Sequence, residues 1–199
     1  SLLFGTIFNF FSSPNDSLIN VFKDTNENLE NRLRSAYDLS WEFFKSDLDS
    51  AKYFANFLHQ KTISNNILSF FSLSYATKSE ICHLNGNKFL ASSYCDSTIK
   101  YAQYADSKNI KFWANKKKYN LLDEDLRLEY IYSALNDTIS SYSYKAWLVD
   151  RKRRLIDKLD LRVVFLDSMI KSHNWPIKNK SSLFYKLAID QTDMGDFKN

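Results

Sequence analysis

Apolar side chains recur every three or four residues through two long segments of the chain, 16–45 and 138–173. This spacing places them along one side of a helix with 3.6 residues per turn. The second segment shows it most clearly, and Pro176 stops the helix soon afterwards. Its apolar positions are Leu148, Leu155, Ile156, Leu159, Val163, Leu166 and Ile170. The pattern therefore predicts two long helices.

Shorter helices are predicted at about residues 47–58, 67–76, 88–107, 121–135 and 181–190. The helical phase is lost over 59–66, which predicts a kink or a short loop there. Segment 67–76 also fits a strand, because Phe71, Leu73 and Tyr75 alternate with serines. We favour a helix for it, since no second strand is visible to pair with a first one.

Residues that form tight turns are scarce, with three Gly and two Pro in 199 residues. Sheet folds of this size need many tight turns, most of which use Gly or Pro, whereas long helices need few. No linker-like segment divides the chain. We therefore expect an all-α, single-domain bundle of about six or seven helices over 1–199, with an apolar arm at 1–14 and a frayed tail at 191–199.

The sequence lacks motifs for catalysis, nucleotide binding and metal binding. Three scattered glycines exclude Gly-rich phosphate loops, and the three histidines and two cysteines show neither CxxC nor HxxxH spacing. The acids of the helix predicted at 121–135 lack the Glu-x-x-His pairs of di-metal helical bundles; they are Asp123, Glu124, Asp125 and Glu129. We expect no catalytic residue, no metal and no cofactor. An enzyme with a helical active site and no recognisable motif stays open as an alternative function, and we rank it as the second alternative.

Membrane and redox signals point to the cytoplasm. No apolar run approaches the roughly 18 to 20 residues that a transmembrane helix needs, so we expect no integral membrane segment. Two cysteines in a chain of this length do not make a disulfide scaffold, and thiols are typical of a reducing compartment. We therefore expect a cytoplasmic protein.

Positive charge is concentrated in the second half of the chain. Residues 1–99 hold 8 Lys/Arg against 10 Asp/Glu, and residues 100–199 hold 19 against 13. Cations that neutralise phosphates, together with aromatic faces, are typical of nucleic-acid binders. The candidate residues for this first alternative are Lys116, Lys117, Lys118, Arg151, Arg154, Lys158 and Arg162. The last four would share one face of the helix predicted at 138–173, but nearby aspartates favour a solvated, salt-bridged face instead.

The main interpretation is a non-catalytic, helical protein–protein interaction module. An adaptor fits it, as does an inhibitor or immunity-type protein that binds and neutralises a partner. Aromatic residues make up 16% of the chain and are enriched at protein interfaces. The candidate contacts are Trp113, Tyr119, Tyr142, Tyr144 and Trp147, for which core packing is an equally good explanation. The sequence identifies neither the partner nor the oligomeric state.

Overall fold

The structure, a computed structural model, describes residues 16–105, 109–136, 142–172 and 174–193, except for the side chain of Asp125. These ranges form ten α-helices and one 3₁₀ turn (Ala102–Tyr104), without a strand. The helices are α1 (Asp16–Lys23), α2 (Leu29–Phe43), α3 (Leu48–Ser64), α4 (Leu68–Leu84), α5 (Lys88–Tyr101), α6 (Ile110–Leu121), α7 (Glu124–Asn136), α8 (Tyr142–Arg154), α9 (Leu159–Ser172) and α10 (Ile177–Asp193).

The all-α prediction is confirmed, and the prediction of six or seven helices is wrong. The predicted helix over 67–76 is confirmed as part of α4. Of the segment 59–66, for which the sequence predicts a kink or a short loop, α3 covers the residues up to Ser64, and the turn that leads to α4 begins at Asn65. The predicted arm at 1–14 lies outside the described residues. Helix α10 continues to Asp193, inside the predicted tail at 191–199, and the rest of that tail lies outside the described residues.

The long helix predicted over 16–45 is two helices, α1 and α2. The side chain of Asn28 accepts a hydrogen bond from the backbone N–H of Glu30 (2.7 Å), which starts α2 afresh with an N-cap. Arg32 then donates from Nε to the Phe22 carbonyl near the end of α1 (3.0 Å). Periodicity misses this break because the apolar phase continues across the polar turn.

The long helix predicted over 138–173 is also interrupted, and α8 and α9 are separate. The N–H groups of Leu155 and Ile156 bond to carbonyls only three residues back, which closes the end of α8. The Ile156 carbonyl accepts a hydrogen bond from Nε of Arg162 on α9. Helices α8, α9 and α10 all pack on one another, so the break lets α9 turn back onto its neighbours.

The chain divides into two compact units after Leu121. In unit 1, which holds α1–α6, each helix packs against the next, and α2 and α6 also touch α4. Its core includes the buried side chains of Leu33, Phe54 and Leu73. Unit 2 holds α7–α10, with Leu166 in its core. The single-domain prediction for residues 1–199 stays a prediction. Within the described ranges, no helix is both long and apolar enough to cross a membrane.

Candidate functional site

Small side chains let α4 and α5 approach closely in unit 1. Ser79 on α4 donates its hydroxyl hydrogen to the Ala91 carbonyl on α5 (2.8 Å), and its oxygen lies 3.1 Å from the sulfur of Cys95. All three residues are buried. Because no bulky side chain separates the helices at this point, aromatic side chains on the two helices can meet beside the contact.

Five aromatic rings lie side by side at the surface of this helix pair, and we call them the tyrosine face. They are Phe71 and Tyr75 on α4, Tyr94 and Tyr101 on α5, and Tyr104 on the 3₁₀ turn. The Tyr75 ring is nearly parallel to that of Tyr94 (centroids 6.0 Å apart, 25° between planes) and to that of Tyr101 (5.7 Å, 23°). Phe71 lies 4.9 Å from Tyr101. Four of the rings are half-buried and Tyr104 is exposed, so the face is both anchored and accessible.

Polar groups border the tyrosine face on α3 and α4. Nδ1 of His59 lies 2.6 Å from the Ser74 hydroxyl, and its ring meets Tyr75 edge-on (5.5 Å, 68°). Burial, with the charge of Lys78, lowers the pKa of His59, which keeps it neutral at pH 7. Lys78 in turn donates to the Asn56 side chain (2.7 Å). The border therefore adds hydrogen-bonding groups and the positive charge of a lysine.

The phenol group of Tyr75 remains a hydrogen-bond donor at neutral pH. Burial raises the pKa of Tyr75, and the neighbouring phenols of Tyr101 and Tyr94 raise it further. A second lysine, Lys100, lies with Nζ 5.4 Å from the centre of the Tyr101 ring. The surface thus offers flat apolar rings, phenol groups and the side chains of two lysines.

The five aromatic residues proposed from the sequence lie elsewhere and are divided between the two units. Trp113 is half-buried and packs edge-on against Trp41 beside the core of unit 1 (5.3 Å, 85°), and Tyr119 is buried. In unit 2, Tyr144 is buried and stacks on Trp147 (6.0 Å, 15°), while Tyr142 is 46% exposed. Most of their surface is therefore used for packing.

The lysines proposed on α6 differ in their surroundings. Lys117 forms an ion pair with Glu80 on α4 (2.8 Å), with 14% and 16% of the two side chains exposed. Lys118 pairs with Asp96 on α5. Lys116 is exposed. Two of these three cations are therefore neutralised inside unit 1.

The four cations proposed on the long helix do not share a helix in the structure. Arg151 and Arg154 lie in the last turn of α8, Arg162 is on α9, and the exposed Lys158 lies between the helices. Arg154 pairs with Asp150 (3.4 Å), and the guanidinium of Arg151 lies 5.2 Å from the centre of the Trp147 ring. The single-helix stripe expected from the sequence is wrong because the helix is broken.

The remaining candidates are the acidic residues considered for metal binding and the cysteine thiols. Asp123, Glu124 and Glu129 are exposed, and the side chain of Asp125 lies outside the description. Across the described residues, no three His, Cys, Asp or Glu side chains come together in a way that could hold a metal ion. Burial raises the pKa of the Cys95 thiol to about 11, which makes it a poor nucleophile at neutral pH.

The tyrosine face was missed at the sequence level because its members fit other patterns. Phe71 and Tyr75 contribute to a strand-like alternation, and Tyr94 and Tyr101 fit the core side of a helix. The sequence does show that the residues of each pair lie on the same side of a helix, because the first pair is spaced by four residues and the second by seven. Pairing the two stripes requires the packing of α4 on α5, which is a tertiary contact.

Comparison with known proteins gives no relative from which a role can be transferred. The chain matches no protein-family model, no curated protein and no solved structure.

Proposed function

We propose that this protein is a non-catalytic helical interaction module that binds an extended segment of a partner protein on the tyrosine face. The observation that carries the proposal is the row of five adjacent rings held at the surface by the α4–α5 contact. Tyr and Phe provide large contact areas at a small cost in conformational entropy, which suits them to binding surfaces. An adaptor or an inhibitor would both use such a surface.

The chemistry of the face indicates the kind of segment it would bind. Aromatic rings pack well against proline, aromatic and branched apolar side chains, and phenol O–H groups donate to the carbonyls of an extended backbone. Lys78 and Lys100 favour at least one acidic residue in the segment. The proposal includes a cytoplasmic location, which the free thiols of Cys82 and Cys95 support.

The nucleic-acid alternative uses seven cations, of which three form ion pairs with carboxylates. Lys117, Lys118 and Arg154 are paired with carboxylates, and each would have to leave its partner to bind a phosphate. We therefore place protein binding first and include a nucleic-acid arm in the test.

The first experiment is site-specific photo-crosslinking in cells of the native source. A benzophenone amino acid replaces Tyr104, which is 48% exposed on the tyrosine face, or Phe89, which is 86% exposed and outside it. We expect one protein adduct from position 104 and none from position 89. Peptide mapping of the adduct then gives the bound segment. Equal crosslinking at both positions would contradict the proposal.

Affinity measurements with the synthetic segment then test the rings directly. We expect Tyr75→Ala to weaken binding by about tenfold or more, because central aromatic contacts commonly account for this much. Phe89→Ala is the matched control and should leave the affinity within about twofold. If a 20-nucleotide oligouridylate displaces the segment, and its own binding falls on Tyr75→Ala and with added salt, the face belongs to nucleic acid and the proposal fails.

A further inference from the structure

A second potential binding site lies between α1, α2 and α3 in unit 1. It is a pocket of about 410 Å³ lined mainly by Ile19, Phe22, Arg32, Tyr53, Phe54 and Phe57. Small-molecule sites usually measure about 300 to 1,000 Å³, so this pocket has room for one small ligand. None of its lining residues belongs to the tyrosine face, and the inference does not rest on the proposed function.

Aromatic rings in edge-to-face contact form the apolar wall of the pocket. Phe22 is the common member, with ring centroids 5.0 Å from Phe54, 4.8 Å from Phe57 and 6.0 Å from Tyr53, and interplanar angles of 74° to 80°. Phe22 and Phe54 are buried, whereas Tyr53 is 45% exposed at the opening. Such walls favour a flat aromatic ligand, which can add further edge-to-face contacts.

A polar group of the pocket with a well-defined orientation is the guanidinium of Arg32. Its Nε donates to the Phe22 carbonyl (3.0 Å), and its carbon lies 5.4 Å from the centre of the Phe57 ring, so two contacts fix its orientation. Among the described residues no carboxylate forms an ion pair with Arg32. Asp24 and Glu27, in the turn before α2, accept hydrogen bonds from amide groups instead. The guanidinium end is therefore suited to a planar anion.

We infer that this pocket binds a small aromatic carboxylate, with its ring against Phe22 and Phe57 and its carboxylate on Arg32. Lys23 also lines the pocket and adds positive charge at its edge. Charge complementarity decides the class of ligand. A neutral aromatic would leave the guanidinium without its anion, and an alkyl carboxylate would lose the ring contacts.

The test compares two probes of the same shape on the full-length wild-type protein. 2-Naphthoate and 2-naphthamide are titrated into ¹⁵N-labelled protein, and affinities are taken from amide chemical shifts. We expect the carboxylate to bind about tenfold or more tightly than the amide, with shifts in α1–α3, because a charge-assisted pair contributes roughly this much. Equal affinities, or shifts centred elsewhere, would overturn the inference without any mutant.

A matched pair of arginine variants then tests the role of Arg32. Arg34 lies on the same helix with its guanidinium carbon 5.4 Å from the centre of the Phe70 ring, the same distance that separates Arg32 from Phe57. We expect Arg32→Gln to remove the preference for naphthoate over naphthamide and Arg34→Gln to keep it, with circular dichroism confirming that both fold. An equal loss in both variants would refute a specific anion site. Decanoate binding as tightly as naphthoate would refute the aromatic preference.

Discussion

The buried carboxylate of Asp150 should be the most sensitive charge in unit 2. It is 6% exposed and lies 2.8 Å from Nζ of Lys186 on α10, with Arg153 and Arg154 each at 3.4 Å. Arg153 also pairs with the buried Asp190. Asp150→Asn keeps the shape of the side chain and removes the charge that these cations share.

The cost of this substitution follows from how far the cations are buried. Removing one partner of a fully buried pair costs about 3 to 5 kcal/mol. The Lys186 side chain is 24% exposed, and Arg153, at 12%, retains Asp190, so water and the second carboxylate recover part of that cost. We expect a loss of about 2 to 3 kcal/mol. Asp167→Asn is the control, because its pair with Lys171 is exposed, and it should cost at most about 0.5 kcal/mol.

Hydrogen exchange measured by mass spectrometry is the assay, because it reports each unit separately. A loss of 2 to 3 kcal/mol corresponds to roughly 30- to 160-fold faster exchange of the most protected amides in α8 and α10. If protection also falls in unit 1, the chain unfolds as the single domain predicted from the sequence. An Asp150→Asn variant no less stable than Asp167→Asn would refute the reasoning.

The effect of Asp150 should also depend on pH in a defined direction. Burial acts to raise the pKa of its carboxyl group, but the hydrogen bond and charge of Lys186, with Arg154 and Arg153, outweigh burial and hold the pKa below its ordinary value of 3.8. The folded state therefore favours the charged form. Its contribution to stability is complete above pH 3.8 and is lost as the pH falls through the depressed pKa. The difference between wild type and Asp150→Asn should shrink over that range.

Three further predictions concern unit 1. Ala91 is buried between α4 and α5, so Ala91→Leu should force the two helices apart and lower the free energy of unfolding by about 1 to 3 kcal/mol. Urea denaturation measures this loss, and an unchanged free energy would show that the contact between α4 and α5 is not tight. The native protein should react with iodoacetamide at Cys82 but not at the buried Cys95, whose pKa is about 11, and both cysteines should react in guanidinium. Mass spectrometry identifies the labelled cysteine, and labelling of Cys95 in the native protein would contradict its burial. The pKa of His59 is lowered from 6.5, so its neutral form contributes stability above pH 6.5, and this contribution is lost as the pH falls through the pKa of the folded state. His59→Gln should lose this pH dependence. Urea denaturation of both proteins at pH 7.5 and 5.5 tests this, and an equal pH dependence in both would contradict it.

The sequence by itself determined the fold class and most helix positions. Apolar spacing of three to four residues and the scarcity of Gly and Pro are local properties, and they were sufficient to predict an all-α chain. They were also sufficient to favour a helix over a strand at 67–76, since an unpaired strand leaves its backbone groups without partners. Local patterns succeed where the outcome depends on hydrogen bonds within one segment.

Tertiary structure decided where the long helices break and which aromatic side chains come together. The turn before α9 receives a hydrogen bond from Arg162 of that helix, a contact that the apolar period across the break does not record. Trp113 and Tyr75 are both half-buried, yet Trp113 packs on Trp41 from α2 beside the core of unit 1, while Tyr75 meets two rings of α5. Burial depends on neighbours that are distant along the chain, so only the packing of the helices could separate core from candidate site.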